Sequence, residues 1–128
     1  MVRELTDNEI ISLTGWRPAN AVVLRRVATL RTTAALIDTN GDGRSIEFEV
    51  LHLDDDENWR GAYSAGAGSE GFGWVQNVAF LYGYSPGKTT VPIDFKQTRT
   101  NVSVGINGWW IFLGETPTEG DRPQVAAT

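Results

Sequence analysis

Short runs of β-branched and aromatic residues, each closed by a glycine or proline turn, succeed one another over residues 21–115. Such punctuation favours antiparallel strands, because Gly, Pro, Asn and Asp supply the dihedral angles that reverse the chain. Residues 45–53 form the clearest run: Ile46, Phe48 and Val50 alternate with Glu47 and Glu49 at the two-residue period of a half-buried strand. The segment Thr-Asn-Gly-Asp-Gly (39–43) reads as the hairpin loop leading into it. Residues 21–38 carry two signals. Val23, Val27, Leu30, Ala34 and Ile37 fall at helical spacing, whereas Thr29, Thr32, Thr33 and the valines favour one long or broken strand, which is the reading preferred here. Residues 61–73 hold too little bulk for a core element and read as a loop. Residues 75–84 form a mostly apolar strand ended by Ser85-Pro86-Gly87, and Pro92 demotes residues 90–95 to an edge or a strand start.

The last hairpin has the strongest local signal. Asn107-Gly108 is the favoured two-residue type I′ turn, lying between NVSVGI and WWIFLG. Its register pairs Ile106 with Trp109, Val104 with Ile111 and Val102 with Leu113 on a core-facing side. Trp110 and Phe112 then fall on the opposite face, where the arm, a loop, another subunit or a ligand has to cover them. About seven such strands predict an all-β protein, an antiparallel β-sandwich or jelly roll over residues 21–115. A short N-terminal helical arm precedes it (1–20), opened by the capping-box pair Thr6 and Glu9 and stopped by Gly15. A proline-containing tail over residues 116–128 is expected to be flexible.

Composition removes several kinds of chemistry. The 128 residues include no cysteine, so disulfides, thiolate metal sites and cysteine nucleophiles are excluded together. His52 is the single histidine, which rules out a site built on two imidazoles. Eleven basic against sixteen acidic residues give a net charge of −5, unsuited to displacing counterions from nucleic acid. No apolar run reaches membrane-spanning length, and the opening MVRELTDNEI has no apolar core of an export signal. No nucleic-acid or membrane partner is therefore expected.

Three motifs invite chemical readings. Asp38, Asn40, Asp42 and Glu49 match the spacing of an EF-hand calcium loop, but a strand rather than a helix follows; a structural turn is preferred and no metal is expected. Gly66, Gly68 and Gly71 spell the dinucleotide-binding string without the helix that would hold a pyrophosphate, so a loop is preferred and no cofactor is expected. Asp54, Asp55, Asp56 and Glu57 are too close in sequence to face each other across a sugar and read as a solvated turn. His52 has no recognisable partner pattern. The sequon Asn101-Val-Ser103 falls in a strand and is set aside. Trp59, Trp74, Trp110, Tyr82 and Tyr84 would suit sugar stacking if displayed in a row; burial in the core and subunit contacts is the preferred reading.

From Arg26 to Gly114 the chain resembles small β-sandwich auxiliary virion proteins of tailed bacteriophages, of the capsid-decoration or head-fibre type. The segments that carry the resemblance are ATLRTTAALID, the hairpin into RSIEFEVLHLDDDENWR with its Trp59-Arg60 pair, GAYSAGAG, NVAFLYGY, VPID and VSVGINGWWIFLGE. The chain departs from the family pattern at PIDFKQTRTN, where a Leu-Pro-x-Gly turn is usual. The resemblance implies a non-enzymatic virion component without catalytic residues. Its partners would be the major capsid protein or another virion protein, together with copies of itself, as in a trimer. Trp110 and Phe112 are the residues expected at such a contact. The alternative is a carbohydrate-binding module or adhesin, with or without calcium at Asp38, Asn40 and Asp42.

Overall fold

The computed structural model describes residues 4–116 and 120–127. The protein is all-β, with antiparallel sheets and one short N-terminal helix, as expected. Its contacts divide it into two compact units, residues 1–67 and 68–128, a different division from the arm, sandwich and tail read from the sequence.

In the first unit, helix α1 (Asp7–Leu13) starts at the predicted capping box. Thr6 Oγ1 accepts the Glu9 amide at 3.2 Å, and Glu9 Oε1 accepts the Thr6 amide at 2.9 Å. It ends with the Gly15 amide on the Ser12 carbonyl and the Trp16 amide on the Ile11 carbonyl, with Gly15 in the left-handed region. The helix buries Ile10 and Ile11 against Ala35, Ile37 and Leu51, with Trp16, Val23 and Trp59 at the margin. That face belongs to a four-stranded meander ordered β1 (Val22–Ala28), β2 (Thr32–Asp38), β3 (Ile46–Leu53), β4 (Trp59–Gly66).

The ambiguous stretch 21–38 is thus a broken strand, turning where the Thr29 amide meets the Thr32 carbonyl. All seven residues of β2 are buried, so the strand shows no polar alternation. Both outer strands carry a bulge. Val23 and Arg25 face the consecutive residues Ile37 and Leu36, and Tyr63 and Gly61 face Val50 and Leu51.

The second unit is a small sandwich. One sheet is ordered β5 (Glu70–Val75), β6 (Val78–Tyr84), β9 (Trp109–Glu115). The other is ordered β10 (Gln124–Val125), β7 (Thr90–Phe95), β8 (Thr98–Ser103). Between them lie Leu81, Val91, Ile93, Trp110 and Phe112, flanked by Phe95, Val102 and Val104. Residues 61–73, expected as a loop, are mostly the strands β4 and β5. In β5 the missing bulk is what the sheet requires. A Cβ on Gly71 would lie 2.5 Å from the Tyr82 ring, and one on Gly73 2.8 Å from the Phe80 ring. Each glycine faces that aromatic across the β5–β6 ladder, so the ring occupies the space a side chain would take.

The predicted closing hairpin forms only at its turn, where the Gly105 amide meets the Trp109 carbonyl at 2.9 Å, and its two strands then part. β8 pairs with β7, setting Val102 opposite Val91, and β9 pairs with β6, setting Ile111 opposite Tyr82. The Gly108 amide closes a turn on the Gly105 carbonyl, so Ile106 and Asn107 take its corners. Only Gly108 has positive φ, whereas a type I′ turn needs it at both corners. This connection carries the chain from one sheet to the other. Trp110 and Phe112 are therefore covered by β7 and β8 of the same unit.

A two-residue turn with positive φ at both corners occurs instead at Lys96-Gln97, without a glycine. Pro92 sits in the middle strand rather than at an edge. β10 runs beside β7 from Asp94 to Ile93, and the Pro92 carbonyl accepts the Ala126 amide. The tail, expected to be flexible, is packed where it is described. Pro123 and Ala126 are buried, the Trp74 indole donates to the Asp121 carbonyl, and the Arg122 guanidinium lies 3.7 Å over the Phe72 ring. Residues 117–119 and 128 of that tail lie outside the described residues.

Candidate functional site

The acidic candidates are engaged in holding the first unit's turns. Asp38 accepts the amides of Gly41 at 3.0 Å and Gly43 at 2.7 Å. Asn40 accepts the Asp42 amide, and Asp42 accepts those of Arg44 and Ser45. These bonds, the Arg44 amide first, hold the Asp42 carboxyl below the usual carboxylate range. Glu49, the fourth residue of the calcium-like spacing, belongs elsewhere. It lies buried on the helix side of β3, accepting the Trp16 indole at 3.0 Å and the Ser64 hydroxyl at 2.8 Å. Burial pushes its carboxyl above the usual range despite those two bonds. Among the described residues, no three His, Asp or Glu side chains gather as a metal site would require.

Asp54 ties the next turn. Its Oδ1 accepts the amides of Asp56 and Asn58, and its Oδ2 accepts Arg60 Nε. The Asn58 amide, and then Arg60, keep it below the usual range. Asp55, Asp56 and Glu57 are exposed around it, as read from the sequence. His52 is half-buried on β3, opposite Thr32 and Arg60 in the two neighbouring ladders, and its Nδ1 is buried without a hydrogen-bond partner. No acid or nucleophile is bonded to that nitrogen. Gly66, Gly68 and Gly71 run from the end of β4 into β5, where a strand rather than a helix opens. Asn101 is exposed on β8.

The aromatics do not form a row. Trp59 packs on the first unit's core, Tyr82 and Trp110 are buried, and Trp74 holds the tail. Tyr84 alone of the five is half-exposed, at 48%. It anchors a feature the sequence did not disclose, a tip made of two loops. The Ser85 amide donates to the Gly108 carbonyl at 2.8 Å, and the Val104 amide to the Thr89 carbonyl at 2.9 Å. The Tyr84 ring lies 4.9 Å from the Trp109 ring, and a Cβ on Gly108 would come within 2.8 Å of Tyr84 and 3.1 Å of Pro86.

A groove of about 500 Å³ runs between these loops, lined by Tyr84, Pro86, Lys88, Val104, Ile106 and Asn107 among others. Ile106 projects from it fully exposed. Sequence reasoning put Ile106 on the core face of a hairpin, so the tip became visible only with the strand pairing. The arrangement can bind by apolar contact and by one ammonium group. No family model, no curated protein and no solved structure matches the chain.

Proposed function

We propose that this chain is a non-enzymatic structural component of a bacteriophage particle, attached to the major capsid protein or a neighbouring virion protein. The reading follows the resemblance of residues 26–114 to auxiliary virion proteins. The observation that carries it is the use made of the chemically capable side chains. Asp38, Asp42 and Asp54 accept amides of their own turns, and Glu49 joins Trp16 to Ser64. These groups serve shape, which is what a particle component contributes. In particles released by the source phage or prophage, quantitative mass spectrometry should find the chain at a fixed ratio to the major capsid protein. Particles that lack it overturn the reading.

The half-exposed Tyr84 beside the tip groove favours a second reading, a carbohydrate-binding module. Glycan-array binding lost in Tyr84→Ala would select that reading. Its persistence in EDTA would separate it from any role of calcium at Asp38, Asn40 and Asp42.

A further inference from the structure

The first unit carries a counterpart to the two-loop tip. Leu30 is 79% exposed at the turn between β1 and β2. That turn is fixed beside the acidic one: Arg31 Nη2 donates to the Leu53 carbonyl at 2.7 Å and the Asp54 carbonyl at 2.9 Å, and the Leu53 amide returns to the Arg31 carbonyl. Arg60 pairs with Asp54, and Arg31 lies 3.8 Å from Asp55. Asp56 and Glu57 have no basic partner among the described residues. One protruding aliphatic side chain therefore stands beside uncompensated negative charge.

The tip has the opposite character. Ile106 projects fully, Tyr84 and Pro86 flank it, and Lys88 is the only charged residue in segments 84–89 and 104–108. Lys88 has no acidic partner among the described residues. Both surfaces are held by backbone hydrogen bonds within their own units, so little ordering opposes docking.

We propose that copies of this chain associate heterologously, the Ile106–Lys88 tip of one copy seating on the Leu30–Asp56–Glu57 patch of another. The occupant is a second copy because the chain itself supplies the complement to each surface: an aliphatic side chain on both, a cation on one and anions on the other. Two different surfaces in contact leave one of each free on every pair, so the association continues into a ring or a row. The inference rests on the reading of the chain as a particle component and adds a contact between copies of it.

Sedimentation velocity over a range of concentrations tests it. At low ionic strength the wild-type sedimentation coefficient should rise with concentration, and high salt should reduce the rise. Ile106→Ser and Leu30→Ser each remove one exposed aliphatic group and should lower the association constant by about tenfold or more. Circular dichroism should show both variants folded, since neither side chain is in a core.

Mixed together, the two variants should form a 1:1 pair and nothing larger, because each retains the surface the other lacks. A wild type that stays monomeric, variants that associate like the wild type, or a mixture that fails to pair overturns the inference. Chain found in particles but monomeric in solution defeats this contact alone. Chain that associates as described but is absent from particles defeats the virion reading alone.

Discussion

The two units hold their strands in place by different means. In the first, turns and helix ends are tied by side chains a few residues away: Thr6 with Glu9, Asp38 with Gly41 and Gly43, and Asp54 with Asp56 and Asn58. In the second, the order of strands depends on rings reaching across the sheet. Tyr82 lies over Gly71, Phe80 over Gly73 and Trp110 over Gly83. Local ties specify a conformation from a short stretch of chain. Ring-over-glycine contacts match one strand to another, along the β5–β6 hairpin and, for Trp110 over Gly83, between strands far apart in the chain.

The largest loss should come from the second unit's core. Trp110 is 2% exposed, and Trp110→Ala should cost about 3–5 kcal/mol. Urea unfolding should show that loss, and hydrogen exchange should place the lost protection on β6 and β9. Next comes Gly83→Ala. Its Cβ would meet the Trp110 ring at 2.5 Å, so the ring has to shift, at an expected cost of about 1–3 kcal/mol by overpacking. An unchanged urea midpoint would show that the indole is not held flat on that backbone. Thr6→Ala tests a local tie and should cost about 0.5–2 kcal/mol, with exchange rising in α1.

The smallest effect is one of pH, and it sets groups within the first unit against one another. Asp42 and Asp54 titrate below their ordinary range in the folded chain. Their stabilisation is present above about pH 4, the ordinary carboxylate range, and is lost as pH falls through the lowered folded values. Glu49 titrates above its ordinary range, so its contribution is complete below about pH 4 and fades as pH rises through the raised folded value. Urea midpoints should therefore pass through a maximum in mildly acidic solution. Glu49→Gln should flatten the fall on the alkaline side while leaving the acid side unchanged. A fall of wild-type slope in that variant would remove Glu49 as its source.

Legibility followed the same division. Helix α1, the 39–43 hairpin loop and the solvated turn after Leu53 were all readable, because each is stabilised by residues inside the segment that was read. The glycines of β5 misled because their purpose lies on another strand, in Tyr82 and Phe80. Asn107-Gly108 misled for a similar reason. A hairpin there is favoured locally, yet the longer ladders β7–β8 and β6–β9 take both flanking segments and bring Trp110 and Phe112 inside. The tip around Ile106 is a by-product of that choice, so no local signal announced it. Glu49 alternates with apolar residues as a solvent-facing side chain would, but the helical segment covers that side of β3 and buries it under the Trp16 indole.

The extra residues in β1 and β4 bear on what the protein does when crowded. An outermost strand presents unsatisfied amides and carbonyls in an even row, a template on which any other strand can extend the sheet. In both outer strands of the four-stranded sheet that row is interrupted, between Val23 and Arg25 and again between Tyr63 and Gly61. A foreign strand cannot keep step with either rim past the interruption. Both interruptions work against the sheet-edge growth that leads to fibrils.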